Sequence, residues 1–279
     1  MNDVHFACYV TLISVVAGIV GSVLGLGGGI IVTPALTLIF GIDIRLAIGA
    51  SLISVIATSS GSAIAYLRDR IANVRIGMLL EVGTTTGGIC GALLGSILSP
   101  RLILISFGAF LMYSGVMMAR KIKQELPKPH PAHPLATKLK LNGSYFDKQA
   151  KKTIDYNVDK PQGAFAVMLG AGVLSGLLGI GSGAFKVMAM DIFMKLPIKV
   201  SSATSNFMMG ATAAASASIY MMHGKIDPRI AGPVAIGVLA GSTIGARIMP
   251  RLKNATIRKI FVPVIVYVSI SMIVKGFSQ

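Results

Sequence analysis

The clusters Gly25 Leu26 Gly27 Gly28 Gly29 and Gly179 Ile180 Gly181 Ser182 Gly183 lie 154 positions apart in matching apolar surroundings. Glycine costs a helix about 1 kcal/mol relative to alanine, so each cluster marks a place where an apolar helix breaks. A shorter apolar piece follows each cluster, at 30–40 and 184–194. Eleven helical residues rise about 16 Å, roughly half of a ~30 Å hydrocarbon layer. Both pieces are expected to be half-helices, and interrupted helices at matching positions of two halves are the best sequence pointer to a transporter's binding site.

The mean hydropathy of +0.75, with 13% charged residues, is too apolar for a water-soluble domain, in which about 25% of residues are charged. The surroundings are therefore expected to be lipid, in the cell membrane. Apolar runs near the length of a span occur at 5–24, 47–67, 76–98 and 102–119, and again at 163–178, 201–222, 230–249 and 260–274. The expectation is an all-α polytopic membrane protein with two homologous repeats, 1–119 and 161–279. Each repeat has about four spanning helices plus a glycine-broken half-helix. The same offset pairs Ala17 Gly18 with Ala171 Gly172, Ser51 with Ser205, Thr58 with Thr212, Tyr66 with Tyr220, Arg75 with Arg229, Gly87 with Gly241 and Gly91 with Gly245. Aligned polar and glycine positions are much less cheap by chance than aligned aliphatic ones.

The net charge of +16 sits between the apolar runs and not among aromatics on a shared face, which excludes a nucleic-acid partner. Retention of basic loops in the cytoplasm explains it. Residues 120–160 carry ten Lys or Arg against four acids, with Pro127, Pro129, Pro131 and Pro134, and are expected to form a solvated cytoplasmic linker. Cys8 and Cys90 lack metal-like or CxxC spacing, and His5, His130, His133 and His223 are scattered. Neither a disulfide framework, a metal centre nor a cofactor is expected. With no Lys or Arg before Arg45, the first apolar run lacks a basic signal region and reads as a retained helix.

Sidedness decides how the repeats relate. If the first glycine break turns the chain back, so that both ends of 5–40 lie on one side, each half crosses an odd number of times and the repeats are inverted. Nineteen basic residues then fall on the linker side against five on the other, whereas a parallel scheme gives sixteen against eight. The cleaner asymmetry favours inversion, with both termini extracytoplasmic.

A half-helix that begins at a glycine turn presents free N–H groups and the positive end of its dipole, an arrangement that suits an anion. The candidate substrate-binding residues are therefore Gly25, Gly27, Gly28, Gly29, Gly179, Gly181, Ser182 and Gly183. The competing reading is that these glycines only permit close helix packing. Lys186, in the first turn of the second half-helix, either complements the anion or snorkels to the interface. Glu81, replaced by Ala235 in the repeat, and Asp191 are candidates for proton coupling, with an interfacial position as the alternative. Ser51, and Thr204, Ser205 and Asn206 in the other half, offer neutral donors at equivalent points, unless they bond only to neighbouring backbone.

The run from Gly18 to Leu36, with Gly21, the first cluster and Pro34 Ala35 Leu36, followed by Ala50 Ser51 Leu52, resembles the TauE/SafE family of sulfite and organosulfonate exporters. The second half is similar through Gly172, Gly176, the second cluster and Ala203 Thr204 Ser205 Asn206. Lys186 and Met188 depart from the first repeat, which has Val32 and Pro34 there. The resemblance implies secondary transport of a small sulfur- or carbon-containing anion by alternating access. A passive anion channel is the alternative. Proton or ion coupling and a homo-oligomer are both compatible with the sequence. No GxSxG, HExxH or paired intramembrane aspartates appear, so the chain is not expected to be an enzyme.

Overall fold

The computed structural model describes residues 3–94, 100–120, 131–178 and 182–278. The helices run α1 (Asp3–Leu24), α2 (Gly29–Leu38), α3 (Ile44–Arg68), α4 (Val74–Leu94), α5 (Pro100–Arg120) and the short α6 (Pro134–Lys138). After strands β1 (Gly143–Asp147) and β2 (Lys152–Tyr156) come α7 (Pro161–Leu178), α8 (Gly183–Met188), α9 (Ile198–Met222), α10 (Pro228–Ile248) and α11 (Asn254–Phe277). A π-helical turn, Ala189–Phe193, extends α8. The starts of α2, α3, α4 and α5 are each matched 154 positions later by the starts of α8, α9, α10 and α11.

Among the described residues, four helices are long and apolar enough to cross a membrane: His5–Leu24, Leu46–Arg68, Pro228–Arg251 and Asn254–Phe277. The 21-residue α4 and 25-residue α9 have comparable length. Both are more polar, because they carry Glu81, Lys199 and Asn206, whose partners lie inside the protein. In lipid such groups must be satisfied internally.

In each half the chain after the short helix comes back to the start of the long helix before it. Phe6, near the start of α1, meets Phe40, just past α2, edge to face at 5.3 Å. In the second half Asp159 N–H donates to the Met194 carbonyl at 3.2 Å, and Lys195 Nζ reaches Asp159 Oδ2 at 2.7 Å, so the chain before α7 meets the chain after the π turn. The start of α8 touches the first break: a Cβ added at Gly183 would come within 2.7 Å of the Leu26 backbone.

Glycines set the closest helix crossings. A Cβ at Gly241 on α10 would run into the Val15 carbonyl of α1, and one at Gly18 would meet the Val238 carbonyl in return. Between α4 and α7 the equivalent residues interlock the same way, Gly87 against the Leu169 carbonyl and Gly172 against that of Thr84. Backbone contact of this kind replaces side-chain burial as the glue between helices in lipid. For Gly18, Gly87, Gly172 and Gly241, packing is the role the structure gives. The pair α5 and α11 packs through Ser269, whose hydroxyl donates to the Gly108 carbonyl at 2.6 Å.

The expectation of an all-α chain with a solvated linker is corrected at 131–160. Here β1 and β2 form an antiparallel hairpin in the register Tyr145↔Ile154, and Ala136, Leu141, Tyr145 and Val158 are buried in the main core. The hairpin is fastened by a buried ion pair, Lys199 Nζ to Asp147 Oδ1 at 2.8 Å, with Lys199 also donating to the Pro250 carbonyl at 3.1 Å. Asn73 Nδ2 donates to the Leu141 carbonyl at 2.9 Å. Turns at 69–75, 194–199 and 249–253 thus gather at the hairpin end. At the other end Gly49 abuts the Lys225 carbonyl, and the Arg101 guanidinium lies 5.8 Å from the Phe277 ring.

Candidate functional site

Breaking α1 at Gly25 exposes carbonyls that have no continuing helix to bond. Gly25 and Gly27 take φ of +72° and +75°, the left-handed region that glycine enters without penalty. One face of α9 supplies the missing donors. Ser202 Oγ donates to the Leu24 carbonyl at 3.1 Å, Ser205 Oγ to that of Gly25 at 2.6 Å, and Asn206 Nδ2 to that of Ser22 at 2.6 Å. The buried Tyr66 hydroxyl also donates to Ser22 O at 2.9 Å. Positions 202, 205 and 206 share a helix face by their three- and four-residue spacing.

Two of the expected anion donors, Ser205 and Asn206, therefore cap the broken helix. Thr204 points elsewhere, its Oγ1 accepting from Asn73 N–H at 2.9 Å. At the first half-helix, Gly28 N–H donates to Thr58 Oγ1 at 3.0 Å, and Gly29 packs against Ser51 Oγ. The buried hydroxyls of Ser51 and Ser182 have no hydrogen-bond partner among the described residues. Gly179 and Gly181 lie outside the described residues; Gly183 opens α8 beside Leu26.

Charge concentrates one turn further on. Lys186 is fully buried, so it does not snorkel. Its Nζ donates to Glu81 Oε2 and to Thr212 Oγ1, each at 2.8 Å, and the Thr212 hydroxyl donates to Glu81 Oε1. Thr85 Oγ1 adds a bond to Glu81 Oε1 at 3.3 Å. Glu81 retains 16% side-chain exposure against 0% for Lys186. A buried lysine needs such a partner, because an unpaired charge in this environment is severely penalised. Asp191 belongs to a separate pair, accepting from Arg258 Nη2 at 2.7 Å, which ties the π turn to α11.

A cavity of about 130 Å³ lies between α4 and α9, lined among others by Thr85, Gly88, Thr212, Ala215, Ser216 and Tyr220. It reaches the charged cluster through Thr85 and Thr212. The sequence pointed to Lys186 and Glu81 separately and missed their union, because they stand 105 residues apart. Thr212 was visible only as the repeat partner of Thr58, and Thr85, Ser216 and Ser202 carried no distinguishing signal.

The seam at the equivalent positions, between α3 and α10, is shut. A Cβ at Gly61 would strike Ser242 Oγ and lie 3.0 Å from the Leu239 carbonyl, and Ser242 Oγ is 3.5 Å from the Ala57 carbonyl. At the α4/α9 crossing the matching residues are Ala215 and Gly88. An added Cβ at Gly88 finds only the Gly172 carbonyl of α7, at 3.8 Å, and nothing on α9. Gly88 is smaller than Ser242 and Ala215 larger than Gly61, so the two crossings differ in which helix carries the side chain.

The family description "Sulfite exporter TauE/SafE" matches residues 10–272. The chain belongs to the TauE/SafE family. Among its relatives is YunE of Bacillus subtilis (strain 168), a probable membrane transporter protein, 27% identical with 95% of this chain and 96% of the relative covered. YdhB of the same organism, also a probable membrane transporter protein, is 27% identical over 88% of this chain and 94% of its own. A probable membrane transporter protein of Xylella fastidiosa (strain 9a5c) is 25% identical, covering 94% of each chain. No solved structure matches the chain. Membership of this family makes the chain a membrane transporter, with a small-molecule substrate and a lipid environment.

Proposed function

We propose that this TauE/SafE member is a secondary transporter of small anions, such as sulfite, sulfonates or related sulfur and carbon oxyanions, across the cell membrane by alternating access. The observation that carries the reading is the difference between two equivalent seams. The α4/α9 seam holds a 130 Å³ cavity lined by Thr85 and Thr212, the hydroxyls that bond the buried Lys186–Glu81 pair, while the α3/α10 seam is packed to backbone contact. Exchange of the two packings between related halves would expose the lysine's surroundings to the other side. A passive channel needs both seams open together, so the shut α3/α10 seam favours a carrier. We put the cargo beside Lys186, a reading supported by the close approach of Gly183 to Leu26, which would divide one side from the other there.

Inverted repeats are supported by the return of α2 toward the start of α1 and of the π turn toward the start of α7. The first return lies at the Lys225 end, the second at the hairpin end. The basic turns gather with the hairpin, which by the positive-inside rule supports a cytoplasmic side for residues 131–160 and an extracytoplasmic one for both termini. On that sidedness the cavity belongs to the extracytoplasmic half.

The test is counterflow in reconstituted vesicles. Preloaded unlabelled sulfite should drive transient, saturable accumulation of labelled sulfite, and a methanesulfonate preload should do the same. Non-saturating flux without counterflow would support the channel and reject the carrier.

A further inference from the structure

We infer that Glu81 is an internal stand-in for the cargo anion, and that a proton must bind Glu81 before a small oxyanion can take over Lys186 Nζ and the Thr212 hydroxyl. The inference rests on the anion-transporter reading and gives its site a coupling ion.

Two groups in the cluster have just the bonds a cargo oxyanion would use. Lys186 Nζ and Thr212 Oγ1 are both directed at the Glu81 carboxylate. The equivalent site has neither charge, since Val32 on α2 matches Lys186 and Ala235 on α10 matches Glu81. There Thr58 answers a backbone N–H of the glycine break. The charged pair is thus an addition to a scaffold that closes without it, and the cavity touches this pair through Thr85 and Thr212.

Charge conservation in a poorly solvated site sets the order of events. Lys186, fully buried, requires one negative partner at all times. With Glu81 ionised the pair is neutral and the cargo's place is filled. A second anion beside the ionised carboxylate would leave one net negative charge buried. If Glu81 accepts a proton, the carboxyl is neutral, the anion pairs with Lys186, and the site is neutral again. Each singly charged anion is therefore carried with one proton, and no net charge moves.

Glu81 is the partner able to take that proton, being the part-exposed member of the pair while Lys186 is sealed. Other ionisable groups nearby are few. On α4 itself, Arg75 is turned to the Lys140 carbonyl at the hairpin end, and Cys90 is exposed. The helix α7 carries no ionisable side chain, and α8 only Lys186. On α9, Lys199 is held by Asp147, and Tyr220 lines the far cavity wall. Asp191, in the π turn, is held by Arg258.

The decisive experiment measures protons bound per anion bound on the purified full-length protein in weakly buffered detergent solution near neutral pH. Methanesulfonate is the probe, since it stays ionised there and any proton consumed goes to the protein. The wild type should take up about one proton per methanesulfonate and bind more weakly as pH rises. Glu81→Gln should bind with almost no proton uptake and lose that pH dependence. Methanesulfonate binding without proton uptake in the wild type, or full uptake in Glu81→Gln, would overturn the inference while leaving the transporter reading intact. No binding of methanesulfonate, sulfite or acetate by a monodisperse wild type would count against the transporter reading itself. If Glu81→Gln does not fold, wild-type vesicles decide: methanesulfonate accumulation should follow a pH gradient and ignore an imposed voltage, and voltage-driven accumulation would overturn the inference.

Discussion

The two glycine breaks begin from nearly the same sequence and do different work. At the first, α9 caps the exposed carbonyls and Thr58 takes the free N–H of Gly28, so every bond named there stays within the protein. At the second, Thr212, the counterpart of Thr58, is drawn into a buried lysine–glutamate pair beside a cavity. One break is closed structure and the other keeps a charged group next to open space. Matched glycines fix how the helices cross, and two differences at matched positions, Val32 against Lys186 and Ala235 against Glu81, leave one of the two equivalent sites charged and the other apolar.

The strongest way to break the comparison is to give the charged site the residues of its uncharged equivalent. Lys186→Val combined with Glu81→Ala should abolish anion transport while leaving a well-folded protein. Either substitution alone should lower stability by about 3–5 kcal/mol by stranding the other charge, which a detergent melting series would record. Equal melting of the single and double variants would remove the pair from the account.

A second comparison concerns the glycine crossings. Gly87→Ala and Gly241→Ala should each cost about 1–3 kcal/mol, since both would press a methyl into a backbone carbonyl of the neighbouring helix. Gly170→Ala, which meets nothing within 4 Å, should be neutral or gain up to about 1 kcal/mol of helix propensity. Similar losses at all three positions would mean the crossings are looser than described.

Ser205 and Ser51 sharpen the contrast between the breaks. Ser205→Ala leaves the Gly25 carbonyl without its hydroxyl donor and should cost about 1–3 kcal/mol. Its counterpart Ser51 has no partner among the described residues, and Ser51→Ala should change stability by less than about 0.5 kcal/mol. Thermal melts of the two variants side by side give the answer.

The smallest effect lies at the hairpin. Burial alone would raise the Asp147 carboxyl, but Lys199 and the N–H groups of Ala150 and Gln149 outweigh it and hold the carboxyl below its ordinary value of 3.8. A lowered folded-state pKa adds stability above the ordinary value, and that stability is lost as pH falls through the folded one. Hydrogen exchange across 131–160 should therefore quicken only in strong acid, and Asp147→Asn should remove that acid step.

These regions also differ in how far the sequence exposes them. Helix positions were legible because a span in lipid demands a long apolar run, and both half-helices were legible from the glycines that precede them. The hairpin was not. Its strands are five residues each, inside a segment whose prolines and lysines suggest a solvated chain. Alternation gave no hint either, because the buried positions are Tyr145 and Asp147 while Phe146 faces outward, against the apolar-in, polar-out pattern that marks a strand. At the site, Lys186 stood out as an ion in an apolar run, whereas the capping role of Ser205 and Asn206 depends on carbonyls about 180 residues earlier in the chain. No local pattern encodes a partner at that distance.

The central claim is that one seam is open while its equivalent is shut, and that cargo works in the open one. Cysteine accessibility tests it directly, in a background with Cys8→Ser and Cys90→Ser. Ala215→Cys, on the cavity wall, should react with a membrane-impermeant thiol reagent added from the side opposite the hairpin. Saturating methanesulfonate, which does not react with the reagent, should slow that reaction. Labelling only from the hairpin side, or at a rate that methanesulfonate leaves unchanged, would contradict the account.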